Sequence, residues 1–196
     1  MRKTGQKRRS SWKPWRDSSI MKTPGRIHTN LVRSTSGNTV VEMGVYPLLT
    51  KPESSVESMP DFILVDAGPL IALFDRDDKY HDRIVDFIKE AKYKFITTTA
   101  VVTEVTHMLD FSVNAQIDFL EWIMKEGVIL QEISQRDVSR IIGLTKKYSD
   151  RPMDFADATL VIAAEQTGVR QIMSIGSDFD IYRLPGKVKI RTVFLD

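Results

Sequence analysis

The pattern of apolar and polar positions changes near residue 60. Beyond that point, short apolar runs alternate with amphipathic stretches. The runs have the length and composition of buried strands: "FILVD", "KFITT", "VILQEI", "QIMSI" and "VKIRTVFL". The stretches between them have helical spacing: "GPLIALF", "HDRIVDFIKEAK", "AVVTEVTHML", "AQIDFLEWIMKEG", "DVSRIIGLTKKYS" and "FADATLVIAAEQTG". Two of these helices are expected to end at glycines, Gly127 and Gly168.

Strands that alternate with helices predict an α/β protein. The expected arrangement is a three-layer α/β/α sandwich with a mostly parallel central sheet over residues 61–196. The crossover connections should be right-handed.

Residues 1–60 have a different character. They contain 11 Lys and Arg against 4 Asp and Glu, a net charge of +7, whereas residues 61–196 contain 17 against 22, a net charge of −5. This first part is rich in small and polar residues and has no sustained apolar periodicity, so we expect a basic, disordered N-terminal extension. It could attract nucleic acid or have no selected role. The native protein could also begin near Met59, which N-terminal sequencing that found earlier residues would contradict.

Composition excludes several classes of chemistry. The chain has no cysteine, which rules out disulfides, thiolate metal sites and cysteine catalysis. No apolar run approaches the roughly 18 residues of a membrane span, and no apolar region of a secretory signal follows the basic start. We therefore expect a cytoplasmic protein without a membrane partner.

Acidic residues are placed where the predicted strands end. Asp66 ends the first strand, Glu104 lies on the helix after the second, and Asp178 follows the fourth. Asp154 and Asp157 begin the helix before the fourth strand. Ligands of such folds bind outside the carboxyl ends of the strands, and grouped carboxylates repel one another unless a cation lies between them. Oxygen ligands favour Mg²⁺ or Mn²⁺, which can bind phosphate and activate water.

Each acid also has a structural interpretation. Asp66 and Asp154 could cap helices, Glu104 could be a solvated helix residue, and Asp178 could belong to a surface turn. Asp154 is three residues before Asp157, so it could alternatively be an outer ligand on the same helix face. Asp157 is surrounded by apolar neighbours in the sequence, which is a poor place for a lone charge.

Four segments carry a resemblance to a known family: "ILVDAGPLIALFDRDDKYH", "ITTTAVVTEVTHML", "RPMDFADATLVIAAE" and "SDFDIYR". In order and spacing they resemble the PIN-domain family, specifically the VapC-type toxin ribonucleases of toxin–antitoxin systems, over about residues 62–196. The resemblance implies an α/β/α fold, metal-dependent cleavage of RNA, frequent homodimers and a small antitoxin that blocks the site. By position, Asp66, Glu104 and Asp157 match the first three acids of the family and would hold the metal.

The chain departs from the family pattern after the fourth strand. Gly176 occupies the position of the usual fourth acid, and Asp178 could replace that acid as a metal ligand. Ser174 stands where the family usually has Thr and keeps the hydroxyl. The alternative to a nuclease is therefore a catalytically impaired module that binds RNA or protein through the same fold.

Overall fold

A five-stranded sheet forms the centre of the protein. The computed structural model describes residues 61–151 and 153–193, so the predictions made for residues 1–60 lie outside the described residues. The strands are β1 (Asp61–Val65), β2 (Tyr93–Thr98), β3 (Ile129–Gln131), β4 (Gln171–Met173) and β5 (Arg191–Val193). Their order is β3-β2-β1-β4-β5, and every neighbouring pair is parallel.

Six α-helices flank this sheet in the described part of the chain: α1 (Ala67–Phe74), α2 (His81–Glu90), α3 (Thr99–Met108), α4 (Val113–Met124), α5 (Val138–Lys147) and α6 (Phe155–Thr167). Every predicted strand and helix is present, and the predicted α/β/α sandwich is confirmed. None of these helices has both the length and the apolar character needed to cross a membrane.

The central part of helix α6 is buried on all sides. All its residues from Ala158 to Ala164 are buried, and it contacts α3, α5, β1 and β2. A helix that is apolar on all sides is stable only when neighbours cover every face. The alanines in this stretch allow those neighbours to approach closely, so α6 is fixed in place along most of its length.

Buried hydroxyl groups join the carboxyl ends of the strands to α6. Thr97 Oγ1 donates to the carbonyl of Val65 at 2.8 Å. The Oγ1 atoms of Thr98 and Thr159 are 2.7 Å apart and share a hydrogen bond. Because a buried polar group is costly when unpaired, these bonds fix β1, β2 and α6 relative to one another at the edge where the acids lie.

The end of α4 differs from the prediction. The helix ends at Met124 rather than continuing to Gly127, and Glu126 takes the left-handed conformation at φ 60°. The backbone N–H of Gly127 donates to the carbonyl of Trp122 at 2.9 Å. A Cβ at residue 127 would overlap the Trp122 indole, so glycine is needed here for close packing. The other predicted end is confirmed, since Gly168 caps α6 at φ 74°.

We expect Gly127→Ala to destabilise the protein because the new methyl group would displace the fully packed Trp122 ring. The cost should be about 1–3 kcal/mol, the usual range for overpacking, measured by urea unfolding. Gly143→Ala is the matched control, since position 143 lies in α5 with no atom within 4 Å of the added carbon. It should instead stabilise by about 0.5–1 kcal/mol. Equal effects of the two substitutions would show that Trp122 does not require the glycine.

Candidate active site

The site lies where the order of the strands reverses. From β1, the chain adds β2 and β3 on one side and later β4 and β5 on the other. The crevice between β1 and β4 is therefore the topological switch point, the usual ligand position in open parallel sheets. Val65 and Met173 are paired across this crevice, which places the next residues, Asp66 and Ser174, side by side.

Asp66 is fixed by hydrogen bonds on both carboxylate oxygens. Its Oδ1 accepts from the N–H of Ala67 at 2.7 Å, and its Oδ2 accepts from Ser174 Oγ at 2.9 Å. Burial raises the pKa of the Asp66 carboxyl, and these two hydrogen bonds oppose that rise. Asp66 is thus the N-cap of α1, which was the structural role that the sequence allowed for it. It also lies at the switch point of the sheet.

The two carboxylates at the start of α6 have different environments. Asp154 is exposed, and its Oδ1 accepts a hydrogen bond from the N–H of Asp157 at 2.7 Å, so Asp154 caps the helix. Asp157 is half-buried on the first turn. Burial and the charge of Asp154 raise the pKa of Asp157 to about 7, against the opposing effect of a hydrogen bond from Tyr182.

Glu104 and Asp178 approach the same region from other elements. Glu104 is half-buried in the second turn of α3; burial raises its pKa, and the negative charges of Asp154 and Asp66 raise it further. Asp178 is exposed at the start of a short 3-10 helix and contributes to the raised pKa values of Asp66 and Asp157. The electrostatic effect of one carboxylate on the pKa of another decreases with the distance between them. Among the described residues, the charges that shift these carboxyl pKa values are all negative.

Asp178 lies beside the position of the absent fourth acid. A Cβ built on Gly176 would be 3.6 Å from Asp178 Oδ2 and 3.9 Å from Ser174 Oγ. The carboxylate of Asp178 therefore reaches the space that a side chain at residue 176 would enter. Ser174 Oγ also accepts a hydrogen bond from the N–H of Gly176 at 3.2 Å, so this hydroxyl joins the turn to Asp66.

The sequence did not identify Tyr182 as part of this region. Its hydroxyl donates to Asp157 Oδ2 at 2.9 Å, and its buried ring packs edge-on against Phe179 and Tyr148. Burial and the nearby Asp157 carboxylate raise the pKa of Tyr182, which keeps it a hydrogen-bond donor. The available signal was an aromatic residue within "SDFDIYR", close after the fourth strand.

The acids do not form a finished metal centre. Within residues 61–151 and 153–193, no three Asp, Glu or His side chains are arranged so that they could hold a metal ion as they stand. The hydrogen bonds explain part of this, because Asp66 and Asp154 each direct an oxygen at a helix amide and Asp157 accepts from Tyr182. The residues are electrostatically coupled, and their roles as metal ligands remain predictions.

Comparison with known families identifies the fold. The model of the PIN domain matches residues 63–186, a range that contains all five candidate acids. The chain belongs to the PIN-domain family. No curated protein sequence matches it. Among solved structures, it is similar to the Mycobacterium tuberculosis toxin VapC20, which is described as cleaving the sarcin–ricin loop. That match has a TM-score of 0.55 and 16% identity, and covers 59% of this chain and 91% of VapC20. At this identity the likeness shows the shared PIN fold.

We expect Asp157→Asn to stabilise the metal-free protein at alkaline pH. The pKa of Asp157 is about 7 in the folded protein and 3.8 ordinarily. Between these two pH values, the folded protein keeps a proton on Asp157 that the unfolded chain has released. Stability conferred by that proton is therefore lost as pH rises through this window. Thermal unfolding in EDTA at pH 8 should show the variant melting higher, by on the order of 5 °C.

This difference should shrink toward zero as the pH is lowered to about 4, where the wild-type carboxyl is largely protonated. Asp110→Asn, at an exposed position after α3, is the control and should leave the pH profile unchanged. A variant that melts lower than wild type at pH 8 would instead mean that the ionised Asp157 is held by a net favourable interaction.

Proposed function

We propose that this protein is a metal-dependent endoribonuclease, the toxin of a toxin–antitoxin pair. The observation that carries this proposal is the convergence of Asp66, Glu104, Asp154, Asp157 and Asp178 at the switch point of a parallel sheet. Burial raises the pKa values of Asp66, Glu104 and Asp157, and the negative charges of neighbouring acids raise them further. Membership of the PIN-domain family supports the same reaction class.

The donor set fits a hard divalent cation in its chemistry. All five side chains offer carboxylate oxygens, which Mg²⁺ and Mn²⁺ prefer. Asp66, Glu104 and Asp157 would hold the ion directly or through water, with Asp178 and Asp154 at its margin. When bound, the ion would supply an activated water and electrostatic stabilisation of the scissile phosphate. It would also offset the repulsion that adds to the effect of burial in raising the pKa values of Asp66, Glu104 and Asp157.

Neighbouring hydrogen-bond donors orient two of the acids for metal binding. Ser174 and the N–H of Ala67 fix the orientation of the Asp66 carboxylate and favour its ionised form. Tyr182 does the same for Asp157. Glu104 lies in the second turn of α3, where burial raises the pKa of its carboxyl and the negative charges of Asp154 and Asp66 raise it further.

The proposal includes RNA as substrate, a small antitoxin, a homodimer and a cytoplasmic location. A surface on α4 supports a protein partner. Val113, Ile117, Leu120 and Met124 are 47–73% exposed, and their spacing of four, three and four residues is that of a coiled-coil seam. Exposed apolar stripes of this kind are typical of protein interaction sites.

We expect the full-length protein to cut a mixed RNA pool with Mn²⁺ but not with EDTA. Asp66→Asn should reduce cutting by about 100-fold or more, because it removes a charge that holds the cation. Asp61→Asn is the control, since Asp61 is exposed at the opposite end of β1. The assay follows fragment formation on denaturing gels.

Cutting that persists in EDTA, or that survives Asp66→Asn, would assign the activity to a contaminant or to another site. A folded wild-type protein that cuts no RNA in the pool, and whose melting temperature does not rise with Mn²⁺, would contradict the nuclease proposal.

The second candidate is an impaired PIN module that binds RNA or protein without cleaving it. Gly176 favours this alternative because the usual fourth acid is absent, and the described carboxylates are not arranged as a ready metal site. Its distinguishing property is the lack of Mg²⁺ or Mn²⁺ binding. The position of Asp178 argues against it, since the Asp178 carboxylate lies beside residue 176.

We expect Asp178→Asn to weaken Mn²⁺ binding by roughly 10-fold, in the range found for residues that support metal ligands. Gly176→Asp in the same protein should restore the affinity, because a Cβ at residue 176 would make only ordinary van der Waals contacts, at 3.6 Å from residue 178 and 3.9 Å from Ser174 in the native protein. Asp180→Asn, in the same 3-10 helix, is the matched control. Binding can be measured by isothermal titration calorimetry. Unchanged affinity in Asp178→Asn would show that Asp178 does not replace the fourth acid.

A further inference from the structure

A groove of about 480 Å³ opens beside the acids. Its walls come from the first turn of α3, the segment that follows β3, and the starts of α5 and α6. Its volume lies within the range of small-ligand sites and is enough for a nucleobase with its sugar. The groove is a feature of the described residues that the proposed cleavage chemistry does not use.

The groove and the acids share two helices. Thr103 lines the groove and directly precedes Glu104 on α3; Phe155 lines it and lies between Asp154 and Asp157 on α6. A strand of RNA whose phosphate is positioned by the acids would therefore bring an adjacent nucleotide to the mouth of the groove.

The lining suits an uncharged, flat ring. Phe155 is 59% exposed, Leu130 43% and Val138 42%, which is unusual for large apolar side chains at the edge of an acidic site. Glu132 is the single ionisable side chain among the residues that line it. Among the described residues, no cationic side chain lines these walls to attract phosphate, whereas a base could bury its faces against the apolar side chains.

Polar groups at the rim could contact the edges of a base. Gln135 and Thr103 are among the residues that line the groove, and the Thr103 hydroxyl donates to the carbonyl of Thr99 at 2.9 Å but can still accept a hydrogen bond. The Gln135 amide both donates and accepts hydrogen bonds, so it tolerates more than one base. Unpaired RNA is commonly recognised by stacking bases on aromatic rings and bonding their edges.

We propose that this groove binds one unpaired base of the RNA substrate, adjacent to the phosphate at the acids, with the base stacked on Phe155. The inference rests on the proposed ribonuclease function and adds to it a subsite for one base. The groove selects for an accessible base, and the acids act on the neighbouring phosphate.

The test measures binding apart from cleavage. Full-length Asp66→Asn protein in Mg²⁺ is titrated with a labelled mixed-sequence single-stranded RNA, followed by fluorescence anisotropy. The same titration uses a ribose-phosphate chain of equal length without bases. Three double variants are compared with this protein, each carrying one further substitution: Phe155→Ala, Phe155→Trp or Phe111→Ala. Phe111 is the matched control, since it is 51% exposed and does not line the groove.

Phe155→Ala should weaken binding of the intact RNA by roughly 5- to 150-fold, the effect of losing one stacked base. Phe155→Trp should retain binding, and Phe111→Ala should not change it. The chain without bases should bind equally well to the protein with Phe155 and to Phe155→Ala. Circular dichroism melting checks that the variants fold. Because Phe155 is largely exposed, its replacement should not disturb the core.

Three outcomes would overturn the proposal. Unchanged RNA binding by Phe155→Ala, while the native protein still cuts RNA, would leave the nuclease intact and remove the base site. If Phe155→Ala weakened binding of the intact RNA and of the base-free chain equally, Phe155 would contact the sugar-phosphate backbone of the RNA rather than a base. If the native protein neither binds nor cuts RNA, the ribonuclease function itself fails and the base site fails with it; the groove then suits an apolar side chain of a protein partner.

Discussion

Repulsion between carboxylates is the constraint around which this region of the protein is built. Acids from four parts of the chain lie toward the carboxyl end of one sheet, where burial raises the pKa values of Asp66, Glu104 and Asp157 and neighbouring negative charges raise them further. Left to themselves, such side chains would turn outward into water. The hydrogen bonds from Ala67, Ser174 and Tyr182 oppose that tendency at Asp66 and Asp157.

The frame that holds the acids is correspondingly rigid. Helix α6 is enclosed on all sides, and the Thr98–Thr159 hydrogen bond joins it to the end of β2. Asp157 therefore stands on an element that cannot move without disturbing the core.

The sequence predicted those parts of the structure that depend on local pattern. Apolar runs gave the strands, and their alternation with helices gave a sheet whose carboxyl ends collect Asp66, Glu104, Asp157 and Asp178. The capping role of Asp154 was also predictable because it involves residues only three apart. The predicted end of α4 was wrong because Gly127 is needed for close packing against Trp122 rather than for ending the helix. A helix-termination rule does not consider such a contact. Tyr182 and the groove at Phe155 depend on how distant segments pack, and no periodicity in one segment carries that information.

The neighbourhood of Gly176 shows that an acid two positions along the chain can approach the space beside a residue. Asp178 belongs to a different turn of the backbone, yet its carboxylate oxygen lies 3.6 Å from where a side chain at residue 176 would begin. A motif search that demands an acid at the usual position would discard this chain, although the PIN-domain model matches it over residues 63–186. A search for the residue that replaces a missing acid should therefore compare positions in space as well as positions in the sequence.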